Sequence, residues 1–149
     1  MIARRPVLAG IALAVLVAGC AAKQPEVTSK EGLAWIAQGS PEAIAAAVNA
    51  LPRSNAARAE RLHDALAHAM QSAPDRVLPL VGTADTLSAR NVCVPMLAEG
   101  ATPKEQKDDL ARSRKAIESV TDPALAKAKE ACLAELVQVE TAVDRGEEE

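Results

Sequence analysis

Two histidines, His63 and His68, are the side chains of this 149-residue sequence best suited to holding a metal ion. They are five residues apart, which on a helix separates them by about 140° around the axis. Zinc-binding histidine pairs on helices are instead four residues apart, so that both rings face the same side. No carboxylate and histidine cluster elsewhere completes a site, and the sequence therefore predicts no metal and no cofactor.

The serines and carboxylates form no catalytic pattern. Serine-based acyl transfer needs a base beside the nucleophile and an oxyanion hole, but there is no G-x-S-x-G motif, and Ser88 and Ser113 have no histidine nearby in sequence. Asp108 and Asp109 are adjacent and so lie on different faces of a helix, and the three glutamates at 147–149 are consecutive. We interpret these carboxylates as solvated surface and predict that the protein is not an enzyme. Sequence spacing leaves open an acid pair that only folding brings together.

Residues 1–19 have the layout of a secretory signal. Arg4 and Arg5 give a positive start, an apolar run over 7–18 follows, and small residues precede Cys20. The apolar run is shorter than the roughly 20 residues that a membrane-spanning helix needs. We therefore expect the signal to be removed during export, with an uncleaved membrane anchor as the alternative.

The tetrad Val17-Ala18-Gly19-Cys20 resembles the lipobox of bacterial lipoproteins. This resemblance implies that the Cys20 thiol receives a diacylglycerol and that Cys20 becomes the acylated first residue of the mature chain. Several acyl chains, at about 0.8 kcal/mol per buried CH₂, give stable anchoring. Since alanines and no aspartate follow the cysteine, the resemblance implies the outer membrane, facing the periplasm. An inner or monoderm membrane, or an ordinary signal with a chance cysteine, are the alternatives.

Cys93 and Cys132 are the cysteines that remain once Cys20 is acylated. An even pair in an oxidising compartment favours a disulfide bond. Cys132 lies on the apolar stripe predicted for the last helix, and Cys93 lies in the most apolar stretch after the signal, so we expect both to point inward. We predict a bond between Cys93 and Cys132, with two buried free thiols as the alternative.

Aromatic residues are almost absent, since the chain has no Phe, no Tyr and a single Trp, Trp35. Stacking platforms for nucleic-acid bases need aromatic faces. Of the 17 basic residues, Arg4 and Arg5 fall in the signal, which leaves 15 against 20 acidic residues. Both features disfavour nucleic acid and an electrostatic attachment to anionic lipid. Trp35 itself is interpreted as a core anchor of the first helix or as a contact for a partner protein.

The sequence predicts an all-α fold, a small irregular bundle of about five to six helices. Alanine is abundant and strand-forming aromatics are missing. Ser40-Pro41 and Thr102-Pro103 each combine an N-cap with proline at the first helical position, and apolar residues recur at helical spacing over 54–72 and 123–143. Residues 83–99 stay ambiguous because Pro95 prevents a continuous helix. A HEAT-like array of helical pairs is the minor alternative.

Four segments follow from these patterns. They are the signal over 1–19, the lipidated cysteine with a flexible tether over 20–28, the helical domain over 29–143, and an acidic disordered tail over 144–149. The signal resembles a known class, whereas the mature domain resembles no family that its sequence identifies. The membrane is thus a predicted partner, through the lipid on the first mature residue.

These features favour an interaction module, a lipid-anchored periplasmic helical domain that binds or assists an envelope protein. Pilotins, the small helical lipoproteins that guide outer-membrane secretion channels, have a similar size, anchor and composition. The sequence carries no pilotin motif, so this likeness is one of form alone. The alternative is a small envelope enzyme, or an enzyme inhibitor or immunity protein. An apolar groove favours the first class, and a polar cleft with perturbed acids favours the second.

Overall fold

The computed structural model describes residues 25–98 and 100–146. Within these ranges the chain is all-α, as predicted, and has no strand. The α-helices are α1 (Lys30–Ala37), α2 (Pro41–Ala50), α3 (Ala56–Ser72), α4 (Pro74–Val77), α5 (Ala89–Cys93), α6 (Pro103–Glu118) and α7 (Ala126–Arg145). Their number exceeds the predicted five to six because α4 and α5 are short separate helices. None of the helices described is long and apolar enough to span a membrane.

The longer helices begin at side-chain caps, and those at Ser40 and Thr102 are the ones that the sequence predicted. Ser40 and Asn55 accept hydrogen bonds from backbone N–H groups in the first turns of α2 and α3. At α6, Thr102 and Glu105 form a complete capping box in front of the helix. Each such cap contributes about 1 kcal/mol by pairing N–H groups that have no partner within the helix. Before α7, Asp122 caps a 3₁₀ turn that leads into the helix.

Helix α3 is the centre of the fold. It packs against α1, α5 and α6, while α7 packs against α5 and α6. Leu62, Leu66 and Met70 of α3 are fully buried. Burying each such side chain stabilises the fold by about 1.5–3 kcal/mol. This central stripe follows the helical spacing of the sequence, and it fixes the axis around which the other helices are arranged.

The residues that precede α1 pack onto the domain. Val27 is partly buried against the core, and the Arg58 guanidinium lies 3.6 Å from the Glu26 carboxylate. A Cβ atom on Gly32 would collide with the Glu26 carbonyl oxygen, so only glycine fits where the chain crosses α1. The last three residues of the predicted 20–28 tether therefore belong to the folded domain, because their apolar and ionic contacts hold them there.

Helix α7 continues beyond residue 143, where the sequence placed the end of the domain. It runs to Arg145, and Gly146 follows in the left-handed conformation that ends many helices, with a φ of 69°. Asp144 forms an ion pair with Lys107 of α6. Of the predicted 144–149 tail, the first three residues thus form the end of the helix. The signal, the lipobox with its cysteine, the next four residues and the last three glutamates lie outside the described residues.

Candidate functional site

A groove of about 910 Å³ lies between the N-terminal half of α3, residues 94–98 and the C-terminal end of α7. We call it the α3–α7 groove. Its polar lining comes from three helices and the turn of α5. These polar residues are Glu60, His63, Asp64, Arg90, Asn91, Gln106 and Gln138. A smaller groove of about 390 Å³ lies between α1 and α3, and Met96 stands between the two and lines both.

Residues 94–98 form one wall of the α3–α7 groove, and we call them the 94–98 segment. Val94 is in the extended conformation, and 95–98 continue without helix or turn. The Met96 N–H donates to an Asp64 carboxylate oxygen at 3.1 Å, whereas the Leu97 N–H donates to none of the described residues. All five residues of the segment line the groove. The backbone of the segment is therefore bonded to α3 at Met96, and the N–H group of Leu97 has no acceptor among the described residues.

Cys93 and Cys132 fix the start of this segment. Both are fully buried, their Cα atoms are 5.4 Å apart, and their sulfur atoms are at bonding distance. The predicted pairing is thus confirmed in geometry, since this Cα separation is typical of disulfides. The pair joins the end of α5 to α7 across 39 residues of chain. In the chain-entropy model a bond of this span contributes about 4 kcal/mol.

Asp64 and His68 form an ion pair between the two grooves. The His68 Nδ1 lies 3.3 Å from a carboxylate oxygen of Asp64 and 2.9 Å from its backbone oxygen. The hydrogen bond to the Asp64 carboxylate is the main cause that raises the pKa of His68 to about 9. Burial acts to raise the pKa of Asp64, but the bonds from His68 and the Met96 N–H outweigh it and lower that pKa. At neutral pH both groups are therefore charged, and His68 is protonated and so cannot accept a proton as a general base.

His63 holds the turn that precedes α5. Its Nε2 lies 2.7 Å from the carbonyl oxygen of Thr86, to which it donates. The two histidines therefore serve different backbone oxygens, on different sides of α3, in accordance with their five-residue spacing. Among the residues that the structure describes, no group of three His, Cys, Asp or Glu side chains is placed to hold a metal ion.

Gln106 is a groove residue that the sequence analysis did not single out. Its side chain is only 9% exposed, lines the α3–α7 groove and makes no hydrogen bond to a described residue. Its helical spacing could have identified it, because Gln106 is on the same stripe of α6 as the buried residues Leu110, Ser113 and Ile117. Ser113 is a polar member of that stripe too, but it accepts a hydrogen bond from Gln71 at 3.0 Å. A polar residue on a buried stripe is thus either paired inside or directed to a cavity.

The remaining candidates from the sequence lie outside the α3–α7 groove. Trp35 is partly buried against the core from α1 and lines neither groove. Ser88 caps α5, Asp108 pairs with a lysine one turn earlier on α6, and Asp109 pairs with Arg112. Asp109 also accepts a bond from a glutamine of α3, so it is less solvated than predicted.

The chain matches no protein-family model, no curated protein and no solved structure. Its function is therefore argued from its own geometry. The features that bear on its function are the α3–α7 groove, the 94–98 segment and the N-terminal tetrad that ends in Cys20.

Proposed function

We propose that this protein is a lipid-anchored adaptor of the bacterial envelope. In this proposal Cys20 carries the lipid, the helical domain faces the periplasm, and the α3–α7 groove binds a segment of an envelope protein. The likeness of residues 17–20 to a lipobox supports the anchor. The size of the groove supports the binding role, because its volume of about 910 Å³ is in the upper part of the range for ligand sites.

The exposure of Met96 is the observation that best supports the binding role. Its side chain is 49% exposed although it stands over two grooves, and it is one of two large apolar side chains so exposed in the described chain. Methionine adapts its shape to a partner surface at little cost, because its side chain is unbranched and flexible. An exposed, adaptable apolar side chain beside a mixed polar and apolar groove is what a peptide-binding surface requires.

The anchor constrains how the groove meets the envelope. Glu26 is tied to Arg58 near the start of α3, and only residues 21–25 separate it from Cys20. Six peptide steps span at most about 20 Å. Ala56 lines the groove at that same start of α3. A lipid on Cys20 would therefore hold the groove close to the membrane surface, where segments of membrane-bound partners are within reach.

Site-specific photocrosslinking in cells tests the binding role. The full chain carries a photoreactive residue at Met96 in one strain and at Val137 in another, since these two side chains are equally exposed at 49% and only Met96 lines the groove. We expect a discrete crosslinked envelope protein from position 96 and none from position 137. Equal crosslinking from both positions, or none from position 96, would contradict the proposal.

The anchor has its own test. The intact mass of the protein purified from membranes should correspond to a chain that starts at Cys20 and carries acyl groups, and Cys20→Ala should release the protein from the membrane fraction. A mature chain with an unmodified Cys20 thiol would overturn the lipid anchor. The crosslink at position 96 should also weaken in the Cys20→Ala strain, because the groove is then no longer held near membrane-bound partners.

A further inference from the structure

The two methionines that follow the predicted signal, Met70 and Met96, differ completely in exposure. Met70 of α3 is fully buried, whereas Met96 is 49% exposed and lines both grooves. Cys93 and Cys132 are fully buried and paired with each other. Oxidants react with the sulfur atoms that are exposed to them. Among the residues that the structure describes, the Met96 thioether is therefore the sulfur that a dissolved oxidant can reach.

The reaction of this thioether with hydrogen peroxide is a transfer of one oxygen atom. The O–O bond of the peroxide breaks and an S–O bond forms. The sulfur is oxidised to a sulfoxide, and the hydroxide that leaves takes up the proton of the transferred oxygen, so that the peroxide is reduced to water. The product is a polar side chain, and its new oxygen accepts hydrogen bonds where the thioether offered an apolar contact.

A hydrogen-bond donor for that oxygen lies beside Met96. The Met96 N–H and the His68 Nδ1 lie 3.1 and 3.3 Å from the same carboxylate oxygen of Asp64. The His68 ring is thus close to the Met96 backbone, and both side chains line the smaller groove. The His68 Nε2 makes no hydrogen bond to a described residue. Because the bond to Asp64 is the main cause that raises the pKa of His68 to about 9, this nitrogen carries a proton at neutral pH.

We infer that Met96 is an oxidation site and that its sulfoxide accepts a hydrogen bond from the His68 Nε2–H. This bond holds the oxidised side chain in the smaller groove, so that the α3–α7 groove loses its exposed apolar contact. Oxidation of one atom therefore weakens the binding of the partner. The loss of partner binding rests on the proposed adaptor function, whereas the oxidation and the bond to His68 do not.

Peptide mapping by mass spectrometry tests the oxidation site. The full chain, purified from membranes in detergent, is treated with hydrogen peroxide while folded and is then digested. We expect the Met96 peptide to gain one oxygen atom roughly tenfold faster than the Met70 peptide or more, since a fully buried side chain reacts only when the fold opens. After unfolding in guanidinium the two should react at similar rates. Equal rates in the folded protein would overturn the assignment of Met96.

Nitrogen magnetic resonance of the His68 ring tests the bond to the sulfoxide. The Nε2 signal of His68 should move when the parent protein is oxidised. The same treatment should leave this signal in place in Met96→Leu, because leucine has a similar volume and no sulfur. An unmoved His68 signal in a sample whose Met96 is fully oxidised would overturn the bond.

Photocrosslinking in cells tests the effect on partner binding. The photoreactive residue is placed at Ala98, which is exposed and lines the α3–α7 groove, so that Met96 stays in the chain. Hydrogen peroxide should weaken the crosslink about tenfold, as for one apolar side chain that no longer contacts the partner. In the Met96→Leu strain the crosslink should stay at that strain's own untreated level. Met96→Gln, which is polar and of similar length, should weaken the crosslink without peroxide.

The outcomes separate this inference from the proposed function. An unchanged crosslink in parent cells whose Met96 is oxidised would leave the adaptor function standing and refute its control by oxidation. Equal weakening in the parent and in Met96→Leu would assign the effect to another residue and would also refute that control. No crosslink from position 98 in untreated cells would refute the adaptor function and with it the effect on binding, and the mass and His68 measurements would still decide the oxidation site.

Discussion

The central helix α3 and the connection between α4 and α6 differ in regularity, although both contribute side chains to the same core. Helix α3 has its own backbone hydrogen bonds and a stripe of fully buried side chains. The connection consists of short helical turns and loops, and besides its buried side chains Leu87, Val92 and Cys93 it is held by a few contacts to distant residues. They are the bond from His63 to the Thr86 carbonyl, the bond from the Met96 N–H to Asp64, and the pairing of Cys93 with Cys132.

This difference places the groove where the two regions meet. The regular helix supplies a rigid face, and the loops of the connection supply backbone N–H and C=O groups that are not hydrogen-bonded within a helix. Binding residues commonly lie on such connections, positioned by a rigid scaffold. We therefore expect changes at the buried positions of α3 to act on stability, and changes at the exposed and partly exposed positions 96–98 of the connection to act mainly on binding.

Removing the disulfide should have the largest effect on the connection. Cys93→Ser should lower the free energy of unfolding by about 4 kcal/mol under oxidising conditions, because the unfolded chain gains the freedom of the opened loop. Chemical denaturation of the protein purified under oxidising conditions, with and without reductant, measures this. With reductant present the variant and the parent should differ little. Equal losses in both conditions would mean that packing and not the bond stabilises this end of α5.

Truncating the core of α3 should come next in size. Leu66→Ala should destabilise the fold by about 3 kcal/mol, since it removes a fully buried side chain and leaves a cavity. Leu97→Ala in the connection should cost much less, because Leu97 is only partly buried. Urea denaturation compares the two variants. A loss at Leu97 as large as that at Leu66 would show that the exposed end of the connection is packed as tightly as α3 and would break the comparison.

The sequence predicted the regular region far better than the connection. The stripe through Leu66 and the cap at Ser40 are local patterns that depend on neighbours within a few turns. The pairing of Cys93 with Cys132 followed from their number, their apolar surroundings and the expected compartment. The bond from Met96 to Asp64 could not be predicted, because it joins residues 32 positions apart whose meeting depends on the path of the whole connection.

Removing the hydrogen bond between the Met96 N–H and Asp64 should have a smaller effect on stability. In the His68→Gln background, where the ion pair with Asp64 is already absent, Asp64→Ala should lower the free energy of unfolding by about 1 kcal/mol, the value of a hydrogen bond, because the Met96 N–H loses its acceptor. Asp108→Ala is the matched control, since Asp108 pairs only with an exposed lysine on its own helix. Denaturation curves measure both variants. If the two variants behave alike, the Met96 bond does not hold the connection.

The smallest effect concerns pH. Because the folded-state pKa of His68 is raised from 6.5 to about 9, chiefly by its bond to Asp64, its protonation stabilises the fold. That contribution is fully present below about pH 6.5 and is lost as the pH rises through 9. Asp64 and Asp109 are the acidic groups that act on His68. Thermal unfolding from pH 6 to pH 10 should show this loss in the parent and not in His68→Gln. A parallel loss in both would assign it to other groups.

Amide hydrogen exchange of the full chain, alone and with the envelope protein that position 96 captures, tests the central claim most directly. In the free protein the Leu97 amide should exchange rapidly, since it has no hydrogen bond to a described residue. On partner binding its exchange should slow markedly, while the amides of α3 stay as they were. Protection that appears elsewhere and leaves the 94–98 segment unchanged would contradict the account of this groove as the site where the adaptor holds its partner.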